Sequence, residues 1–147
     1  MSNPKQVILI VGASFYSDIA SALLKGAISK LDAIEGTKYE HVNVPGVFEV
    51  PSAVNAGWES GEFDGCITLG CVIRGETDHY EHICREVTRK LMDISIDKRM
   101  PHGFGILTCE NMEQAITRSD VNGTNQGARA ADACLHMVGL LNRFQNP

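Results

Sequence analysis

The sequence has no cluster of lysine and arginine, although 13 such residues are spread along its 147 positions. Acidic residues outnumber them, the formal net charge is −5, and nucleic acid and membrane surfaces are therefore poor partners. Long apolar runs are missing too, since none approaches the roughly 20 residues that span a bilayer. The run Val7–Val11 is too short for the apolar region of a signal peptide, so a cytoplasmic location is expected. Five cysteines, at 66, 71, 84, 109 and 134, form no CxxC pair. Each lies within an apolar pattern, which predicts reduced and mostly buried thiols. Cys71, His79, His82 and Cys84 match no structural zinc spacing, and no metal site is expected. Repeats, linkers and low-complexity tracts are absent, so residues 1–147 are expected to form a single domain around one sizeable core.

What is present is a regular alternation. Four short apolar runs rich in β-branched residues read as buried parallel strands: Gln6–Val11, Tyr39–Val44, Gly65–Cys71 and Gly103–Cys109. Helical periods separate them. Ile19, Leu23, Leu24, Ala27, Ile28 and Leu31 form one stripe, and Ala53, Val54 and Trp58 mark a shorter helix with Pro51 in its first turn. Tyr80, Ile83, Cys84, Val87, Leu91 and Ile94 form the stripe after the third strand. A short helix near Met112–Thr117 and a long one near Gln126–Leu141 follow the fourth, separated by turn-forming residues. This order implies an α/β fold, a three-layer αβα sandwich around a four-stranded parallel sheet. Ligands of such sheets bind at the carboxyl ends of the strands. That rule selects the loops GASFYSD, PGVFEVP, VIRGETDH and the start of CENMEQ.

Those loops hold the unusual residues. GASFYS lacks the glycine spacing of a dinucleotide fingerprint, but Phe15 and Tyr16 follow its turn, and a flat ring there either covers the sheet end or stacks on a planar ligand. Glu49 precedes Pro51 at a helix start, where a carboxylate suits the dipole or accepts from ligand hydroxyls. Gly46 allows backbone to approach a ligand. Thr77 is a good cap, and the N–H groups of the following helix form an anion site. The charges of Glu76 and Asp78 oppose an anion there unless they point away. His79, in the first turn of that helix, is a natural proton carrier for a site handling amines and carbonyls. His82, Arg74 and Arg85 are weaker candidates, with Arg74 expected to anchor the loop or a subunit contact. Arg118 ends the short helix, where a cation suits the dipole, and its fork can hold a phosphate if the next loop folds over the site.

Taken together, VPGVFEVP, ITLGCVIRGETDHYEHI, FGILTCENMEQAITR and the spacing to NQGARAA resemble the lumazine synthase family, from about Val7 to Leu141. The resemblance implies a flavodoxin-like fold. It also implies an enzyme of riboflavin biosynthesis, a transferase that joins 5-amino-6-(D-ribitylamino)uracil to 3,4-dihydroxy-2-butanone 4-phosphate with no metal or organic cofactor. By position, Phe15 would stack on the pyrimidine, and Val47, Phe48 and Glu49 would hold the ribityl chain. Cys71, Val72 and Ile73 would meet the uracil edge through backbone groups. Glu76 and Thr77 match the turn that receives phosphate at the helix N-terminus, His79 the proton carrier and Arg118 the phosphate-binding arginine. Phe104 matches a residue reaching in from a neighbouring subunit, so a homo-oligomer is implied.

Two positions depart from the family pattern. Ser14 stands where arginine is common, and Gln126 where lysine is usual, which removes one positive charge near the phosphate. The second departure keeps open a different class, a paralogue that binds riboflavin or a lumazine with weak catalysis. Only Met1–Gln6 precede the first strand, and Pro4 cannot donate a ladder hydrogen bond. So short an arm gives little strand augmentation between subunits, and a C5 pentamer is expected in preference to a decamer or a sixty-subunit shell.

Overall fold

The computed structural model describes residues 5–75 and 79–145. Met1–Pro4, Glu76, Thr77 and Asp78 lie outside the described residues, and with them the expectations placed on the N-terminal arm and on the Glu76–Thr77 turn. Four strands form one parallel sheet in the order β2-β1-β3-β4. They are β1 (Gln6–Ala13), β2 (Thr37–Val44), β3 (Gly65–Ile73) and β4 (His102–Cys109). The expected three-layer sandwich is present. On one face lie α1 (Ser17–Asp32), α4 (Met112–Ser119) and α5 (Gln126–Gln145), and on the other α2 (Val50–Glu59) and α3 (His79–Asp97). No helix among the described residues is long and apolar enough to cross a membrane.

β1 and β3 read as continuous apolar runs because both faces are covered. Ile8, Ile10, Ile67 and Leu69 meet the α1 and α5 side, while Leu9, Val11 and Cys66 meet α2 and α3. β2 corrects one expectation. Among the described residues it pairs with β1 alone, and its residues Lys38–His41 are exposed, so it is an edge strand and not a buried one. Polar residues interrupt its apolar ones, as an edge position allows.

The α1–α5 layer is packed backbone against backbone. A Cβ on Gly127 would overlap the Leu23 carbonyl, and one on Gly103 would overlap the Ala130 carbonyl. Glycine is what lets α5 approach both α1 and β4. The other layer is different. α3 buries Val87, Leu91 and Ile94, and no residue from His79 to Glu86 is fully buried. Its predicted stripe is correct in phase, but it is fully buried only from Val87 onward, with Ile83 half-buried before it.

At the end of β4 away from the site loops, His102 lies between two hydroxyls. Ser95 Oγ donates to the Leu91 carbonyl at 2.8 Å, so it accepts from His102 Nδ1 at 3.1 Å. Nε2 then accepts from Thr68 Oγ1 at 2.9 Å. The ring is a neutral Nδ1–H tautomer, and burial pushes its pKa down to about 4.

Candidate active site

The sheet order reverses between β1 and β3: one connection leads outward to β2 and the other to β4. A crevice opens at the carboxyl ends of strands at such a point. Here it is a cavity of about 700 Å³. Three loops and one helix build its walls. The turn after β1 supplies Phe15 and Tyr16, and the segment after β2 supplies Gly46, Val47, Phe48 and Glu49. The end of β3 supplies Cys71, Val72 and Ile73, and the first turns of α3 supply His79, Tyr80, His82, Ile83 and Glu86.

The lining is apolar with a few polar groups, as small-molecule sites are. Phe15 is 74% exposed and Phe48 64%, large values for rings in a molecule with a well-covered core. Tyr16 meets the Phe15 ring edge-on, with centroids 4.9 Å apart at 86°, which leaves the flat face of Phe15 available to a planar ligand. Val47–Glu49 form a single 3-10 turn leading directly into α2, so the sequence VFEVP places Glu49 at the cavity while Val47 is buried as its anchor. Pro51 fits there because the first turn of a helix needs no N–H from it.

β3 runs on past its partner. Its ladder with β1 ends at the pair Gly12 and Leu69, whereas β4 pairs with it as far as Ile73. Cys71, Val72 and Ile73 therefore turn backbone groups on the β1 side toward the cavity, outside that ladder. The Cys71 thiol is not a nucleophile. Burial, together with Cys109 beside it, pushes its pKa up to about 12.

His79 opens α3 and is exposed to the cavity. His82, Ile83 and Glu86 follow it at helical spacing on the same wall. Hydrogen bonding and charge from Arg89 hold the Glu86 carboxyl below its ordinary pKa, with a smaller contribution from His82. Arg74 follows β3 and ties its backbone N–H to the Cys109 carbonyl at 2.8 Å. Its side chain pairs with Glu81 and Glu110, which ties the end of β3 to the start of α3 and to the residue after β4.

Two expected residues are not brought to this cavity within one chain. Phe104 is exposed on the edge strand β4, where its ring meets His102 edge-on at 6.1 Å. Arg118, in the last turn of α4, reaches back to the Thr108 carbonyl at 3.3 Å and the Cys109 sulfur at 3.6 Å. It lines a separate small cavity with Asn111, Gln114 and Thr124. Conversely, Tyr80, Ile83 and Glu86 line the main cavity although the sequence does not mark them as site residues, and Tyr16 lines it beside Phe15. For the α3 residues the signal was their spacing from His79, at intervals of one, four and seven.

Comparison with known proteins gives this site a context. The model of the 6,7-dimethyl-8-ribityllumazine synthase family matches residues 5–142. A protein of Bartonella tribocorum named 6,7-dimethyl-8-ribityllumazine synthase is 45% identical over 141 residues, covering 95% of this chain and 93% of that one. Its namesake from Sphingopyxis alaskensis is 46% identical over 137 residues, covering 93% and 96%. That of Methylorubrum populi is 43% identical over 138 residues, covering 90% and 81%. With a parallel αβα sandwich, a cavity at its switch point and similarity along nearly the whole chain, the protein belongs to the 6,7-dimethyl-8-ribityllumazine synthase family.

Proposed function

We propose that the protein is the enzyme that condenses 5-amino-6-(D-ribitylamino)uracil with 3,4-dihydroxy-2-butanone 4-phosphate to give 6,7-dimethyl-8-ribityllumazine, releasing phosphate and water. The observation that carries this reading is one cavity lined jointly by an exposed ring, Phe15, a carboxylate, Glu49, and an imidazole, His79. The pyrimidine stacks on Phe15, and its polar edge meets backbone groups of Cys71, Val72 and Ile73. Val47 and Phe48 flank the ribityl chain, and Glu49 accepts from its hydroxyls. The ring amine attacks the ketone to form an imine. His79 then carries protons as phosphate leaves, and the ribityl-bearing nitrogen closes the second ring. Holding two reactive molecules together supplies much of the acceleration.

The phosphate is received at the N-terminus of α3 by the Glu76–Thr77 turn and by Arg118, whose guanidinium comes from an adjacent subunit along with Phe104. The positions of these two residues away from their own chain's cavity support that assignment. The assembly is a C5 pentamer in the cytoplasm. Exposed apolar side chains on β4 and α4, among them Phe104, Met112 and Ile116, supply a surface of the kind that subunits cover.

Mixing purified protein with both substrates and following the fluorescent lumazine tests the function. Turnover supports it, whereas a yellow protein carrying bound flavin and giving no turnover overturns it. Light scattering coupled to size exclusion tests the assembly. A monomer overturns the shared site, and a mass near sixty subunits overturns the pentamer.

A further inference from the structure

The first turns of α3 carry His79 and are only thinly anchored: Ile83 packs half-buried against the core, and full burial begins at Val87. A thinly packed helix end opens readily unless polar groups hold it. Arg74 supplies that hold. Its Nη1 meets the Glu81 carboxylate at 3.2 Å and its Nε the Glu110 carboxylate at 2.9 Å. Its guanidinium carbon lies 4.7 Å from the centre of the Tyr80 ring. One side chain thereby joins the end of β3, the start of α3 and the junction of β4 with α4. The planar fork makes this possible, because it donates in two directions while stacking on a ring. Arg74 is not among the residues lining the cavity, and its donors are directed to two carboxylates. Those features separate it from a direct phosphate ligand. Exposed ion pairs add little to global stability, so the effect of this one is local.

We infer that Arg74 is a positioning residue of the site: by clamping Tyr80, Glu81 and Glu110 it fixes the first two turns of α3 and keeps His79 in register with the reacting groups. Its role in turnover rests on the function proposed above, while the clamping does not.

The test uses the assembled protein and its R74Q and R74K variants, each also combined with H79A. Hydrogen exchange is followed separately for residues 79–86 and 87–97. R74Q should exchange faster in the first segment and unchanged in the second. Its kcat should fall about 10- to 100-fold, as expected for misplacement on the order of an ångström, with KM for both substrates little changed. R74K, which keeps the charge but loses the fork, should lie between. Adding R74Q to H79A should cost nothing further, because Arg74 acts through His79. Unchanged exchange in residues 79–86 overturns the proposal. So does an equal loss in the H79A background, or a rise confined to KM for the phosphate substrate, either of which makes Arg74 a direct contact. If the parent protein forms no lumazine, the proposed function fails, and exchange alone decides the clamp: faster opening supports it and unchanged opening overturns it.

Discussion

The two faces of the sheet are built in opposite ways. On the α1–α5 face, glycines let backbone meet backbone, with Gly127 against Leu23 and Gly103 against Ala130. On the α2–α3 face, the first eight residues of a 19-residue helix include no fully buried side chain and border a cavity instead. The first arrangement has no tolerance for added volume. The second keeps room for ligands and holds its thinly packed helix end by ion pairs and a ring. Both faces carry a buried apolar core, but only the α2–α3 face borders the cavity, with the central strands β1 and β3 common to both.

Gly127→Ala puts a methyl onto a carbonyl and should destabilise by about 3 kcal/mol or more, because neither helix backbone can yield cheaply. Urea midpoints of the variant and the parent measure it. A shift of only a few tenths of a kcal/mol would mean that the two helices are free to separate.

Acid probes the opposite layer through His102, between α3 and β4. The folded ring has a pKa near 4 against about 6.5 when unfolded, so the unfolded chain binds the extra proton. The associated stability is complete above pH 6.5 and is lost progressively as pH falls toward 4, amounting to about 3 kcal/mol. Comparing the parent with His102→Asn across that window isolates the contribution from that of the carboxylates. Parallel pH curves for the two proteins would contradict the buried neutral ring.

His79→Ala should leave the fold unaffected, because the residue is exposed. Lumazine formation should slow by about 10²-fold, the lower end of what a general acid–base group contributes, since proximity survives its loss. Single-turnover rates at saturating substrate measure this, and an unchanged rate removes His79 from the mechanism. The smallest effect is expected from Arg118→Ala, about tenfold weaker binding of the butanone phosphate with the uracil partner little affected. Separate titrations decide it. Equal losses for both substrates would give Arg118 a purely structural role through its contacts with Thr108 and Cys109.

Much of this architecture was legible in the sequence because parallel strands and amphipathic helices write periodicity into it. The runs at Gln6–Val11 and Gly65–Cys71 are strands covered on both sides, and each extends two residues beyond its apolar run, to Ala13 and Ile73. Local motifs such as VFEVP likewise indicated where a carboxylate meets a helix start. Contacts between distant residues were not legible. Nothing local pairs Arg74 with Glu110, or His102 with Thr68, 34 positions away. Periodicity also gives phase without depth, so the α3 stripe reads the same at Ile83, beside the cavity, as at Leu91, which is buried.

The edge position of β2 has a consequence for behaviour at high concentration. An outer strand exposes a row of amide donors and acceptors that a second molecule's strand can join, which is a route to precipitation. Lys38, Glu40 and His41 sit on that strand and are exposed. Another chain docking edge to edge would have to strip water from alternating charges of both signs. The strand that the sequence made look like core is in this way a barrier to indiscriminate self-association, and it keeps the molecule colloidally stable while its apolar β4 and α4 surface remains available to a matched partner.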